Sequence, residues 1–400
     1  MPVSEGTIVR IAARGEGVTG DGRHAPLAAP GDVLMADGTV QAGPHHAVPP
    51  CRHFPRCGGC QLQHVDDAAY ADYLTGRIVG ALAGQGLAVP EMRPPHLSPP
   101  RTRRRASLRA ERIGRRVVIG FNEAQSHRIV DMQECHILRP ELFALVAPLR
   151  ALLGSMMKDR RQATVTMTLA DQGVDLALEG VVVEGLAAQE ALTDFAATHR
   201  LARLAIDEGY GSEARWEPEP ITIRLDSVPV GLPPGAFLQA TEDGEVALRT
   251  AALEAVGDAE TVADLFAGLG TFALPLSARA RVLAVEGARD PALALRVAVQ
   301  RGQRPVAVEH RDLFRRPLST DELNRFEAIV IDPPRAGAKE QAPALATAAA
   351  RTIAYVSCNP ATFARDAKIL IEGGWRIDWI QPIGQFRWST HIELAARLTR

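Results

Sequence analysis

At 400 residues the chain is too long for one hydrophobic core, so two or three domains are expected. Hydrophobic residues make up 46%, charged residues 23%, and net charge is −2, which describes a folded globular protein and excludes a globally basic one. No stretch approaches about 18 consecutive apolar residues, and Met1 to Gly6 lacks a basic start followed by an apolar run. Neither a membrane span nor a secretory signal is expected, and a reducing cytoplasm is the expected setting for the five cysteines.

Residues 1–48 hold short β-like runs, Thr7–Ile11 and Asp32–Met35, separated by turn pairs such as Asp21-Gly22. They read as a small β-barrel or a remnant of one. A linker, Gly43 to Pro50, leads into Cys51-x5-Cys57-Gly58-Gly59-Cys60, and Cys135 follows far downstream. Four thiolates can hold zinc or an iron–sulfur cubane. The five-residue gap is wide for a zinc knuckle, and a fourth cysteine closes the set, so a structural cluster is favoured over a redox one. His53 and His64 are expected not to be ligands. A helix is expected from Asp66 to Gly84, then a second linker, Pro90 to Pro100, with five prolines.

From Arg101 to Arg128 there are nine arginines and two acids, Glu111 and Glu123, which fits a contact with a phosphate backbone or a solvated strand pair. Strands are expected at Arg116–Phe121, Arg128–Asp131 and Ala163–Leu169 within an α+β platform spanning 49–235. From 236 to 400 apolar strands alternate with helices: Val262–Phe266, Val282–Glu286, Val306–Val308, Ala328–Asp332 and Ile353–Ser357. This is a Rossmann-like parallel sheet covered on both faces, whose ligands bind at the carboxyl ends of the strands.

Asp264-Leu-Phe-Ala-Gly268-Leu-Gly270-Thr271 runs from a strand through a glycine turn into a helix, and Glu286 ends the next strand 18 residues after Gly268. A carboxylate there accepts ribose hydroxyls. The turn is shorter than G-x-G-x-x-G, which favours a nucleoside without a pyrophosphate, S-adenosylmethionine, with Asp312 after the third strand. Asp332-Pro333-Pro334-Arg335 lacks the aromatic that an amine-methylating enzyme places after the double proline. Cys358 suggests another chemistry: a thiolate adding to C6 of a pyrimidine makes C5 nucleophilic, and a base then removes the C5 proton. Glu393, set in an apolar run, is the candidate base.

With these segments in hand, the chain resembles the RNA 5-methyluridine methyltransferase family over nearly its whole length. The match runs through the Cys-x5-Cys-Gly-Gly-Cys loop with Gln63-His64, Gly235 to Gln239, Asp264 to Thr271, Glu286, Asp312, Asp332 to Gly337, Ser357 to Pro360 and His391 to Glu393. The resemblance implies a short TRAM- or OB-like β region at residues 1–48, Cys358 as nucleophile and Glu393 as general base. It implies Gln239, Phe266, Thr271, Glu286, Asp312 and Asp332 as S-adenosylmethionine contacts, and Cys51, Cys57, Cys60 and Cys135 as ligands of a [4Fe-4S] cluster. The substrate it implies is RNA, large-subunit ribosomal RNA before transfer RNA, and the chain is expected to be a monomer. Thr271 and Thr241 stand where asparagines are common. The rival readings are an amine-methylating enzyme, a 5-methylcytidine enzyme, which would carry a second cysteine near Asp332, and an inactive RNA-binding iron–sulfur protein.

Overall fold

The computed structural model describes residues 5–400. Residues 1–4, part of the opening read for a secretory pattern and of the 1–48 segment, lie outside the described residues.

The amino-terminal strands pair in the order His24–Ala25, Gly17–Thr19, Gly6–Ile11, Val33–Leu34, Val40–Gln41, all antiparallel. This is an open sheet, half of a barrel, over a small core of Ile8, Ala25, Ala28 and Leu34. The helix Asp67–Gly84 begins where expected, because the Asp66 carboxylate accepts the Ala69 N–H at 2.8 Å. Its buried Tyr70, Leu74, Ile78 and Leu82 recur every four residues and join the core under the carboxy-terminal sheet.

A six-stranded sheet comes next, in the order Ser212–Trp216, Arg203–Asp207, Gly173–Glu179, Gln162–Ala170, Arg105–Ile113, Arg116–Gly120. Helices Val146–Met156 and Gly185–Thr198 share one core with its apolar residues. The strand expected at Arg128–Asp131 does not form. That segment makes one isolated bridge, Asn122 to Ile129, and passes close to the end of strand Arg116–Gly120, donating Met132 N–H to Ile119 O at 2.9 Å. The Pro90–Pro100 linker is also corrected: Glu91–Met92 and His96–Leu97 pair in parallel with Arg376–Gly384 and extend the large sheet. Prolines are tolerated there because an edge needs few donors.

Inside the six-stranded sheet, Arg203 is 3% exposed and grips Asp175 with two bonds of 2.9 and 2.7 Å, while its third nitrogen donates to Leu232 O at 3.2 Å. Replacing Arg203 by Met strands a buried carboxylate. Denaturant unfolding should register a loss of about 3–5 kcal/mol. A companion Asp175→Leu change should recover most of it.

The nine-stranded sheet runs Val306–His310, Arg281–Glu286, Thr261–Leu265, Ala328–Ile331, Thr352–Ser357, Glu393–Thr399, Arg376–Gly384, and then the short edge strands. The first five are parallel. Glu393–Thr399 is inserted antiparallel to both its neighbours. Its first residue therefore lies at the edge where the parallel strands end. Strand order reverses between Thr261–Leu265 and Ala328–Ile331, which opens a crevice at that edge. The hairpin Thr222–Leu225/Val228–Gly231 packs into the same core as helix Arg289–Arg301 on this sheet.

Candidate active site

Every strand at the crevice delivers one side chain of interest: Phe266 after Leu265, Glu286, Asp312 two residues after His310, Asp332 after Ile331, and Cys358 after Ser357. The turn after Leu265 is tightly constrained. Phe266 adopts φ 64°, a left-handed conformation costly for an aromatic residue. Gly270 has φ 97°, and a Cβ there would lie 2.5 Å from Leu295 Cδ1. Gly268, at φ 56°, has nothing within 4 Å of the place its Cβ would fill, so it borders open space. The helix beyond is a single turn, Ala273–Leu276.

Glu286 accepts Gly268 N–H at 2.8 Å on one oxygen and Ala288 N–H at 2.6 Å on the other. Each oxygen keeps a lone pair for a ligand. Asp312 is held by the Phe314 N–H at 2.9 Å, and the Phe314 ring stands 5.5 Å from that of Phe266. Thr271 is half-buried one residue after Gly270. Sequence reasoning passed over Asp264. It is fully buried and neither oxygen has a hydrogen-bond partner. Burial, and then the charge of Asp332, push its pKa well up. An orphaned acid beneath an open glycine turn fits a ligand that brings a cation or donors, as the amino acid end of S-adenosylmethionine does.

Across the crevice, Ser357 pairs with Leu394, so Cys358 comes directly opposite Glu393. Cys358 and Glu393 are electrostatically coupled, and Asp332 and Arg335 act on the same thiol. Burial, the Glu393 charge and the Asp332 charge raise the Cys358 pKa to about 11, with Arg335 opposing. Glu393 is 5% exposed; burial and then Asp332 raise it to about 8, and Gln385 opposes the shift. Burial raises Asp332 to about 7. The Cys358 turn is stitched to the Asp332–Arg335 turn, since Asn359 Nδ2 and Thr362 Oγ1 both donate to Arg335 O, at 3.1 and 3.3 Å. Asn359 also caps helix Pro360–Glu372, accepting Ala361 N–H. Gln239 is 4% exposed and accepts an N–H from Gln385 at 2.7 Å.

Cys51, Cys57, Cys60 and Cys135 are free thiols that line a single cavity with Phe121 and Met132. Burial pushes all four pKa values up, Cys60 to about 12. Among the described residues no three His, Cys, Asp or Glu side chains converge on a point that would hold a single metal ion. Four thiols lining one cavity are a donor set that either a tetrahedral metal ion or a cubane could use. His53 Nε2 is already occupied by the Gln133 N–H at 2.9 Å.

The arginine-rich segment divides between exposed and inward-turned side chains. Arg101, Arg109, Arg115, Arg116 and Arg128 are exposed. Arg104 turns inward onto Glu245 at 2.5 Å, and Arg103 lies over the rings of Phe121 and Phe386 at 5.8 and 5.4 Å.

Known proteins place this geometry. The tRNA (uracil-5-)-methyltransferase family matches residues 305–400. An RNA methyltransferase of Zymomonas mobilis is 52% identical over 98% of this chain and 99% of its own. The 23S rRNA (uracil(1939)-C(5))-methyltransferase RlmD of Chromohalobacter salexigens is 33% identical over 90% of this chain and 78% of its own. In fold, the chain is similar to the Pyrococcus abyssi tRNA (uracil-54, C5)-methyltransferase solved with S-adenosyl-L-homocysteine, with a TM-score of 0.77, 24% identity and 99% of each chain covered. Identity at this level across almost the full length makes the chain a member of the RNA uracil-C5 methyltransferase family.

Proposed function

We propose that this protein methylates C5 of a uridine in RNA, with large-subunit ribosomal RNA as the substrate and transfer RNA as the alternative. The observation that carries the reading is the facing of Cys358 and Glu393 across adjacent antiparallel strands at the cofactor crevice. Family membership supports the RNA substrate, and the named ribosomal RNA relative favours that branch. Residues 236–400 form most of the methyltransferase unit, joined from the 49–235 region by helix Asp67–Gly84, the edge strands between Glu91 and Leu97 and the 222–231 hairpin; the six-stranded sheet of 49–235 is the RNA-binding platform and 1–48 the accessory β region.

Gln239, Phe266, Thr271, Glu286, Asp312 and Asp332 hold S-adenosylmethionine. The cofactor supplies an electrophilic methyl group. Cys358 Sγ bonds to C6 of the uracil, and the C5–C6 π pair moves toward C5 and O4 as an enolate. C5 takes the methyl group as the sulfonium S–CH3 bond breaks, leaving S-adenosylhomocysteine; Glu393 then takes the C5 proton, the electrons of that C–H bond re-form the C5–C6 double bond, the S–C6 bond breaks and the thiolate is regenerated. The raised pKa of Glu393 suits it to accept a proton near neutral pH. The uridine must leave its stack to reach the thiol, so a loop or single strand is the target.

The four cysteines hold a [4Fe-4S] cluster that cross-links the 51–60 loop to the Cys135 segment. Anaerobically purified protein should be brown, with about four irons per chain, and Cys60→Ser should bleach it. A colourless protein holding one zinc would refute the assignment. The activity is tested by transferring labelled methyl groups to unmodified ribosomal and transfer RNA, digesting the product and mapping 5-methyluridine. Methylation on an exocyclic amine instead would refute it.

A further inference from the structure

Arg103 and Arg104 are neighbours in the chain with different surroundings. Arg104 meets the Glu245 carboxylate. Arg103 is half-buried, and among the described residues it forms no ion pair; its one side-chain hydrogen bond runs from Nε to Arg105 O at 3.0 Å. Taking a guanidinium partly out of water costs free energy unless a negative charge stands near. The backbone brings Arg103 beside the cysteines. Its N–H donates to Ile137 O, and Arg139 N–H donates to Arg103 O, each at 2.9 Å, so the residue runs alongside the segment that follows Cys135. Gly59 and Ile137 form a common wall between the cysteine cavity and a small cavity that Arg103 lines. Phe121, which also lines the cysteine cavity, carries the guanidinium over its ring at 5.8 Å. The electrostatics agree with this placement: burial pushes the Arg103 pKa down, and Cys135 and Cys60 oppose the shift.

We infer that Arg103 is the counter-cation of the group bound by Cys51, Cys57, Cys60 and Cys135, acting through its charge and not through a bond to any ligand. The inference rests on the [4Fe-4S] reading proposed above. Four thiolates outweigh the positive iron–sulfide core, so the assembly is an anion, and one added electron deepens its charge. A fixed cation behind a wall of Gly59, Phe121 and Ile137 attracts that anion through protein rather than through water, where the attraction would be weaker. It therefore favours metal-bound thiolates over free thiols, and the reduced cluster over the oxidised one. The rings of Phe121 and Phe386, at 5.8 and 5.4 Å, confine the guanidinium to this place.

The test compares Arg103→Met, which keeps an apolar stem and loses the charge, with Arg103→Lys, which keeps the charge and loses the planar stack. Each protein is purified anaerobically and then exposed to air and EDTA. The brown colour of Arg103→Met should bleach about 10-fold faster than that of wild type, the order expected of one unit charge acting through protein. At a fixed electrode potential its ratio of reduced to oxidised cluster should be about 10-fold lower, a midpoint about 60 mV more negative. Arg103→Lys should stay within about 2-fold of wild type in both measurements, since its charge remains. Arg103→Gln, neutral but polar, decides the matter if Arg103→Met does not fold. If packing against the rings were the whole role, Arg103→Lys would bleach as fast as Arg103→Met and neither would move the midpoint, which overturns the inference. Lost RNA affinity in Arg103→Met with colour and midpoint unchanged, the result expected of a phosphate ligand, overturns it too. A colourless wild type holding one zinc overturns instead the cluster reading on which it rests.

Discussion

Cys358→Ser should form no covalent adduct with RNA containing 5-fluorouridine, and its methyl transfer should fall by at least about 10⁴-fold. Fluorine at C5 cannot leave as a proton, so wild type should be trapped as a protein–RNA conjugate that survives denaturation. Serine keeps nearly the same shape but is a far weaker nucleophile at neutral pH, so folding and cofactor binding should persist. An adduct in the serine variant would remove Cys358 from the mechanism. So would wild-type turnover in Cys358→Ala, the result expected of an amine-methylating enzyme, which needs no thiol. The raised pKa of Cys358 adds a condition. With Glu393 and Asp332 ionised beside it, the thiol is held protonated to about pH 11. A bound cationic cofactor opposes both carboxylates, so S-adenosylmethionine should accelerate iodoacetamide labelling of Cys358.

Glu393→Gln should stop the reaction one step later. Attack and methyl transfer need no base, so the methylated adduct should accumulate, while turnover falls by about 10²–10⁴-fold. Release of product at the normal rate would exclude Glu393. The pH dependence comes from the direction of its shift. The carboxylate is raised to about 8, chiefly by burial, and only its ionised form accepts a proton. Turnover should therefore rise with pH through about 8, and in the glutamine variant that inflection should vanish. The same group opposes stability as pH rises. The folded state binds its proton more tightly than the unfolded chain does, so between the ordinary carboxylate pKa and about 8 the native state loses stability. Glu393→Gln should flatten that decline.

Much of this site was legible because its parts sit at the ends of parallel strands. Alternating apolar strands and helices located the carboxyl edge, and Phe266, Glu286, Asp332 and Cys358 each stand at the last residue of a strand or one beyond it. Glu393 was legible for another reason, a carboxylate in an apolar run. The placing of Gln385 was not, since its side chain is held by two backbone amides 145 and 144 residues away. Asp264 was missed because, inside an apolar strand, nothing in sequence says whether a buried acid has a partner. Composition left the arginine segment open. A count cannot tell which side chains turn inward, and the Glu245 partner of Arg104 lies 141 residues on. The β-prone Arg128–Asp131 segment does lie antiparallel beside residues 119–123, bonded through Arg128 O, Val130 N–H and Met132 N–H, but the contact amounts to one isolated bridge rather than a continuous strand.

The peptide carbonyl of Trp388 accepts the backbone N–H groups of both Gln61 and Leu62, at 2.8 and 2.9 Å, and Tyr70 Oη donates to the carbonyls of Phe386 and Ser389, each at 3.1 Å. Those anchors begin one residue past Cys60, and the segment they hold ends shortly before Glu393. Whatever orders or loosens the 51–62 loop is therefore passed on, through these hydrogen bonds, to the segment that leads into the proposed proton acceptor.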